Sequence, residues 1–225
     1  METITGISEA NDGSGRFLIS VDGRELGLLS AGALSELGLR GGDALDARSS
    51  DALRDAVATQ AVFDKAVELL RARQRSTREL QRRLVQKGAG RMHVVAAIDR
   101  LVALGYLDDA AYAESIVQSQ LVEGGSSRRR VQQDLLKRGV ERAVVADAIQ
   151  RAVDENGSDE AATALDLARG RLRTMRSLEA EARRRRLYGF LTRRGYDPDV
   201  IASVMRALRS EISSTGEDGP DDPAQ

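Results

Sequence analysis

The chain has 225 residues, 41% hydrophobic and 31% charged but only 3% aromatic, so any core must be built from Leu, Val, Ile and Ala. It has no cysteine and one histidine, His93, which excludes disulfides, thiolate nucleophiles, iron–sulfur ligation, zinc fingers and the usual catalytic triads. The net charge of −1 conceals a segregation: residues 1–59 carry 5 basic and 10 acidic side chains, residues 211–225 carry 5 acidic and none basic, and residues 60–210 hold a net +9 that points to a polyanionic or acidic partner.

Residues 3–29 read as strand. Arg16-Phe-Leu-Ile-Ser-Val and Arg24-Glu-Leu-Gly-Leu-Leu flank Asp22-Gly23, a dipeptide suited to a type I′ turn, and Thr3 to Ser8 is a candidate third strand. Ser30 can cap a short helix over Ala31–Leu37, followed by a loop punctuated by Gly38, Gly41 and Gly42. This module, 1–50, is small and acidic. From about Asp51 the pattern turns helical, with a first helix ending near Arg73 and a capping box at Ser76-Thr-Arg-Glu79 opening the next. That helix stops at Gly88. Another covers about Met92 to Leu104 and ends at Gly105, after which Asp108 can cap a helix running to about Glu123.

The punctuation then recurs. Leu84-Val-Gln-Lys-Gly88, Leu135-Leu-Lys-Arg-Gly139 and Leu191-Thr-Arg-Arg-Gly195 are three copies of one phrase, each closing a helix. Eight residues before each glycine stand Leu80, Val131 and Leu187; six after it stand Val94, Val145 and Ile201; ten after it stand Ile98, Ile149 and Met205. The glycines are separated by room for about three helices of ordinary length, so the chain reads as tandem repeats of a three-helix unit over 51–110, 111–158 and 159–212. Such an elongated helical array works through an extended surface more readily than through one pocket. Ser127 precedes the helix Arg128–Arg138, Asp159 stands where Asp108 stood, and Asp197-Pro198 opens a last helix reaching about Ile212. The acidic tail, 213–225, has the composition of a disordered segment.

Basic clusters are the main candidates for function. Arg73, Arg75, Arg78 and Arg82 surround the first capping box, with Arg71 and Arg83 beside them. Arg128, Arg129 and Arg130 open the corresponding helix of the second repeat, and Arg183, Arg184, Arg185 and Arg186 precede Leu187 in the third. Arginine makes forked contacts with phosphate and carboxylate alike, so a stripe of such clusters suits a phosphate backbone or an acidic protein groove, although any single arginine is as readily a solvated helix face. Tyr106, Tyr112, Tyr188, Phe190 and Tyr196 read most simply as core anchors, with base stacking open to an exposed minority. Gly13-Ser-Gly15 lies inside the hairpin and no Gly-rich loop leads into Lys-Ser or Lys-Thr, so no phosphate-binding loop is found. Neither a metal site nor a cofactor is expected: the adjacent carboxylates Asp108 and Asp109 have no third ligand at a suitable spacing.

Arg73-Gln-Arg75-Ser76, then Glu79-Leu80, Leu84 and Lys87-Gly88, then Gly105-Tyr106-Leu107-Asp108-Asp109 with Tyr112-Ala113, closely resembles the signature of the RecX family of bacterial recombinase regulators. Lys137-Arg138-Gly139-Val140 and Ala148-Ile149 fit the same family in the second repeat, and the resemblance spans about residues 3 to 210. It implies a protein without catalytic chemistry that binds the RecA filament on single-stranded DNA and inhibits its assembly, ATPase, strand exchange and co-protease activities. The chain departs from the pattern at Asn156-Gly-Ser-Asp159-Glu160, which replaces a tyrosine-bearing turn, and in the long basic segment from Arg169 to Arg186. A weakly DNA-contacting, cytoplasmic monomer without a membrane segment is the expectation. An autonomous DNA-binding module and an adaptor working through its acidic tail are the competing readings.

Overall fold

Asp22 and Gly23 both take positive φ, 48° and 74°, and join strand β2 (Arg16–Val21) to strand β3 (Arg24–Ser30). These are the signs required by a type I′ turn, whose twist matches that of the strands it links. The turn is held from the side by strand β1 (Glu2–Glu9): the Thr3 amide donates to Asp22 Oδ1 and the Gly23 amide to Thr5 Oγ1, both at 2.9 Å. A two-residue strand β4 (Ala44–Leu45), which no sequence pattern marks, pairs with β1 and completes an antiparallel sheet of order β3-β2-β1-β4. Helix α1 spans Ala31–Leu37 with Ser30 as its cap, as the sequence predicts.

The computed structural model describes residues 1–213 apart from Asp12, Ser14 and Ser158, so the acidic tail lies, from residue 214 onward, outside the described residues. Two compact units divide after Asp108. In the first, helix α2 begins at Ala47, because the Asp46 carboxylate accepts from the Ser49 amide at 2.7 Å, and it runs 26 residues to Ala72. The boundary expected after residue 50 therefore falls inside α2. Its first half packs Leu53 among Ile4, Ile19, Val21, Leu29 and Leu45 of the sheet, and its second half packs Val62, Phe63 and Ala66 against helices α3 (Thr77–Gln86) and α4 (Arg91–Ala103).

The second unit holds helices α5 (Asp109–Val117), α6 (Arg128–Arg138), α7 (Arg142–Asn156), α8 (Glu160–Arg173), α9 (Ala180–Arg193), α10 (Pro198–Ala207) and α11 (Arg209–Ser213). The single helix expected to reach Glu123 instead widens after Val117 into a π-helical turn over Gln118–Glu123. The Ser126 amide then reaches back to the Gln120 carbonyl at 2.8 Å, a closure allowed because Gly124 has no Cβ to strike the Gln120 and Ser119 carbonyls. The last expected helix is broken after Ala207 into α10 and α11.

Packing follows the repeat. The residues eight before, four before and six after each repeat glycine are buried in all three copies: Leu80, Val131, Leu187; Leu84, Leu135, Leu191; Val94, Val145, Ile201. Taken copy by copy, Leu80, Leu84 and Val94 share one apolar cluster, Val131, Leu135 and Val145 a second, and Leu187, Leu191 and Ile201 a third. Burying a side chain of this size contributes about 1.5–3 kcal/mol, so each cluster holds its own helices together. Among the described residues, no helix is long and apolar enough to cross a membrane.

Candidate partner-binding surface

The three arginine clusters that look alike in the sequence are held in three different ways. Around the first capping box, Ser76 Oγ accepts from the Glu79 amide at 3.2 Å, and the Glu79 carboxylate in turn pairs with Arg73 and, at 2.6 Å, with Arg75. Arg75 is mostly buried and also donates to the Leu69 carbonyl at 3.3 Å. These two arginines fasten the end of α2 to the start of α3. Arg78, Arg82 and Arg83 project from α3 into solvent, and Arg82 and Arg83 join Arg73, Arg75, Glu79 and Gln86 around a groove of about 520 Å³.

The second cluster turns toward the third repeat. Arg129 pairs with Asp197 at 2.6 Å, Arg130 donates to the Arg193 carbonyl at 2.7 Å, and the Arg128 amide donates to the Glu160 carboxylate at 3.0 Å. Ser127, the buried cap of α6, accepts from the Arg130 amide, donates through Oγ to the Gly195 carbonyl at 2.7 Å, and donates through its amide to the Arg194 carbonyl at 3.0 Å. Arg130 and Ser127 thus satisfy carbonyls at the C-terminal end of α9 and in the turn after it, where a helix leaves unpaired carbonyls and partial negative charge, while Arg129 pairs with the residue that precedes α10.

Tyr196 completes this junction. It is buried and donates to the Gly125 carbonyl at 3.0 Å, and burial, reinforced by the charge of Glu160, pushes its hydroxyl up to about 12. A tyrosine whose pKa is raised in the folded state stabilises the fold fully below its unfolded value of about 10 and loses that contribution as pH climbs toward 12. Tyr196→Phe should therefore cost about 1–2 kcal/mol at pH 8 by urea unfolding, and its stability should fall less than that of the parent between pH 10 and 12. An equal alkaline loss in both proteins would remove Tyr196 from the explanation.

The third cluster divides. Arg183 is only 4% exposed and lies on the buried stripe of α9 with Leu187 and Leu191, so it leaves the surface cluster to which the sequence assigned it. One helical step moves a residue about 100° around the axis, which is why its neighbours Arg184, Arg185 and Arg186 are exposed. None of those three has an ion-pair or hydrogen-bonding side-chain partner among the described residues.

The aromatic expectation needs correction at two positions. Tyr112 and Tyr196 are buried and Phe190 is packed against the third core, but Tyr106 is 59% and Tyr188 50% exposed. In Gly105-Tyr106-Leu107-Asp108-Asp109, Gly105 turns the chain at φ 73°, Leu107 enters the first core, Asp109 begins α5, and Tyr106 points away. Helix α4 also exposes Met92, Val95 and Val102, whose spacing sets them off the buried stripe of Val94, Ala97, Ile98 and Leu101. Among the described residues, no three His, Asp or Glu side chains are grouped so as to hold a metal ion.

Comparison with known proteins decides the family. Residues 108–149 match the second three-helix domain of RecX and residues 158–205 match the third. The chain is 34% identical over 142 residues to "Regulatory protein RecX" of Mycobacterium avium, covering 63% of this chain and 80% of that protein. This chain belongs to the RecX family. A second relative, "Regulatory protein RecX" of Thermobifida fusca, is 37% identical over 124 residues, 55% of this chain and 63% of that one. The fold agrees with a "Crystal structure of regulatory protein RecX" at a TM-score of 0.68 and 22% identity, covering 93% of this chain and all of that one. The match to the third domain runs through Arg169 to Arg186, the long basic segment noted as a departure from the family pattern.

Proposed function

We propose that this RecX-family chain is a non-catalytic, monomeric, cytoplasmic regulator that binds the RecA filament on single-stranded DNA and inhibits its assembly, ATPase, strand exchange and co-protease activities. Its three repeats are taken as 51–110, 111–158 and 159–212, following a β-hairpin module over 1–50 and preceding the acidic tail, 213–225. The observation that carries the reading, beside family membership, is that Arg184, Arg185 and Arg186 are exposed and without charge partners among the described residues. A cationic surface left open in this way supplies charge to an acidic or phosphate-bearing partner, whereas Arg73, Arg75, Arg129 and Arg130 are engaged within the fold. Arg78 and Arg82 on α3 and Arg128 on α6 join the proposed contact set on exposure or position, and Arg183, buried on α9, drops out of it. Several modest contacts to neighbouring subunits of a polymer add through effective concentration.

The test is the single-stranded-DNA-dependent ATPase of RecA, titrated with this protein while RecA is in large excess. Inhibition well below one-to-one is expected, because few molecules suffice to silence a polymer; no inhibition at equal concentration would overturn the reading. Arg184→Ala/Arg185→Ala/Arg186→Ala should raise the concentration for half-inhibition about tenfold, as three surface charge contacts of about 0.5 kcal/mol each predict. Unchanged inhibition would return the three arginines to solvated surface.

A further inference from the structure

Two arginines of the α9 cluster, Arg184 and Arg185, line a groove that the repeat pattern does not point to. Ala180, Glu181, Arg184, Arg185 and Tyr188 form one side, and Ala202, Met205, Arg206 and Arg209 of α10 and α11 form the other. Each set follows helical spacing, so both are faces rather than scattered residues. Ile212 and Ser213 complete the lining. The volume is about 1040 Å³, at the upper limit of about 1,000 Å³ for small-molecule pockets, and the groove is open to solvent.

Its chemistry is specific. Four arginines face one acidic side chain, Glu181, and none of Arg184, Arg185, Arg206 and Arg209 has an ion pair or side-chain hydrogen bond among the described residues. Tyr188, half exposed, lines the same groove, as does Met205. A large aromatic left half in water has not been placed there by the core, which is filled on this helix by Arg183, Leu187 and Leu191. An acidic peptide would use the arginines but would have no need of a ring face. A nucleic-acid strand uses both, with phosphates on the guanidinium groups and an unstacked base on the ring.

We infer that the α9–α10 groove of the third repeat binds single-stranded nucleic acid, with a base stacked on Tyr188 and phosphates held by Arg184, Arg185, Arg206 and Arg209. The inference deepens the filament reading by giving the third repeat the nucleic acid, rather than the protein subunits, as its direct contact. A duplex is a poor occupant, because its bases offer no free face to Tyr188 without unstacking.

The experiment uses the full chain and a fluorescein-labelled oligo-dT of about 20 nucleotides, without RecA, read by fluorescence anisotropy across a salt series. Tyr188→Ala should weaken binding about tenfold and Tyr188→Phe should restore it, since stacking survives loss of the hydroxyl. Arg206→Ala/Arg209→Ala should reduce the slope of log affinity against log salt by about 1.4, two charges at about 0.7 each for a single strand. No binding of oligo-dT at low salt, or equal binding by Tyr188→Ala and the parent, would overturn the assignment. So would a poly-glutamate peptide that binds the groove as tightly as oligo-dT and is equally indifferent to Tyr188, which would give the groove to an acidic protein segment. RecA ATPase inhibition, measured separately on the same variants, keeps the two readings apart: a chain that inhibits RecA but ignores oligo-dT sinks this inference alone.

Discussion

Gly195→Ala should destabilise the second unit by about 3–5 kcal/mol, whereas Gly88→Ala, at the same place in the first repeat, should cost only about 1–2 kcal/mol. Both glycines end a helix with nearly the same left-handed φ, 88° and 89°, so both substitutions bring the strain of a Cβ in that region. Their surroundings differ. A Cβ on Gly88 meets nothing within 4 Å, but one on Gly195 would stand 2.6 Å from Arg130 Cβ and 2.8 Å from Ser127 Oγ. Relief requires the turn to move away from α6, which breaks the hydrogen bonds from Ser127 to the Gly195 and Arg194 carbonyls and loosens Arg130 from the Arg193 carbonyl. Buried groups left unpaired cost about 1–3 kcal/mol each, so the added penalty exceeds the strain itself. Hydrogen exchange read by mass spectrometry in each unit gives both numbers. Equal losses at the two sites would show that the repeat junction contributes nothing to stability.

That comparison also shows where a sequence stops being readable. Leu80, Leu84 and Val94, with their counterparts in the other repeats, are buried as their spacing requires, because a helix face facing its own neighbours is a local property of a periodic pattern. The position ten after each glycine fades: Ile98 is buried, Ile149 and Met205 only partly. At Met205 the reason is visible, since the side chain lines the α9–α10 groove as well as the third core.

Charge was less legible than apolar spacing. Arg129 and Arg186 sit in equally basic runs, yet Asp197 takes up the first from 68 residues away and nothing among the described residues takes up the second. Long-range pairing of that kind leaves no trace in local composition. Arg206 and Arg209 stand singly in the sequence, and only the fold brings them, from α10 and α11, to the groove lined by Ala202 and Met205. Residue type alone points Tyr106 and Tyr188 to cores, but Tyr188 lies one helical step off the buried Leu187 and Leu191 and so faces outward.

Leu135→Ala should cost about 2–5 kcal/mol, the range for truncating a fully buried leucine, and its effect should reach beyond its own repeat. Leu135 packs with Tyr112, Val131, Val140 and Val145, and none of these belongs to the core formed by α8, α9 and α10. The link between the two is α6, which carries Leu135 toward one end and Ser127, Arg129 and Arg130 at the other. An array of repeats is stabilised by each repeat and by the interfaces between neighbours, so loosening α6 weakens the interface that orders the Gly195 turn. Amide exchange in α9 and α10 should therefore accelerate in Leu135→Ala along with exchange in α6 and α7. Once Gly195→Ala has already broken the junction, adding Leu135→Ala should leave α9 and α10 unchanged, a departure from additivity that measures the coupling directly. Protection of α9 and α10 that is indifferent to Leu135→Ala would mean that the polar contacts at the junction position the third repeat without sharing its stability. The groove beside Tyr188 would then be built by the third repeat alone.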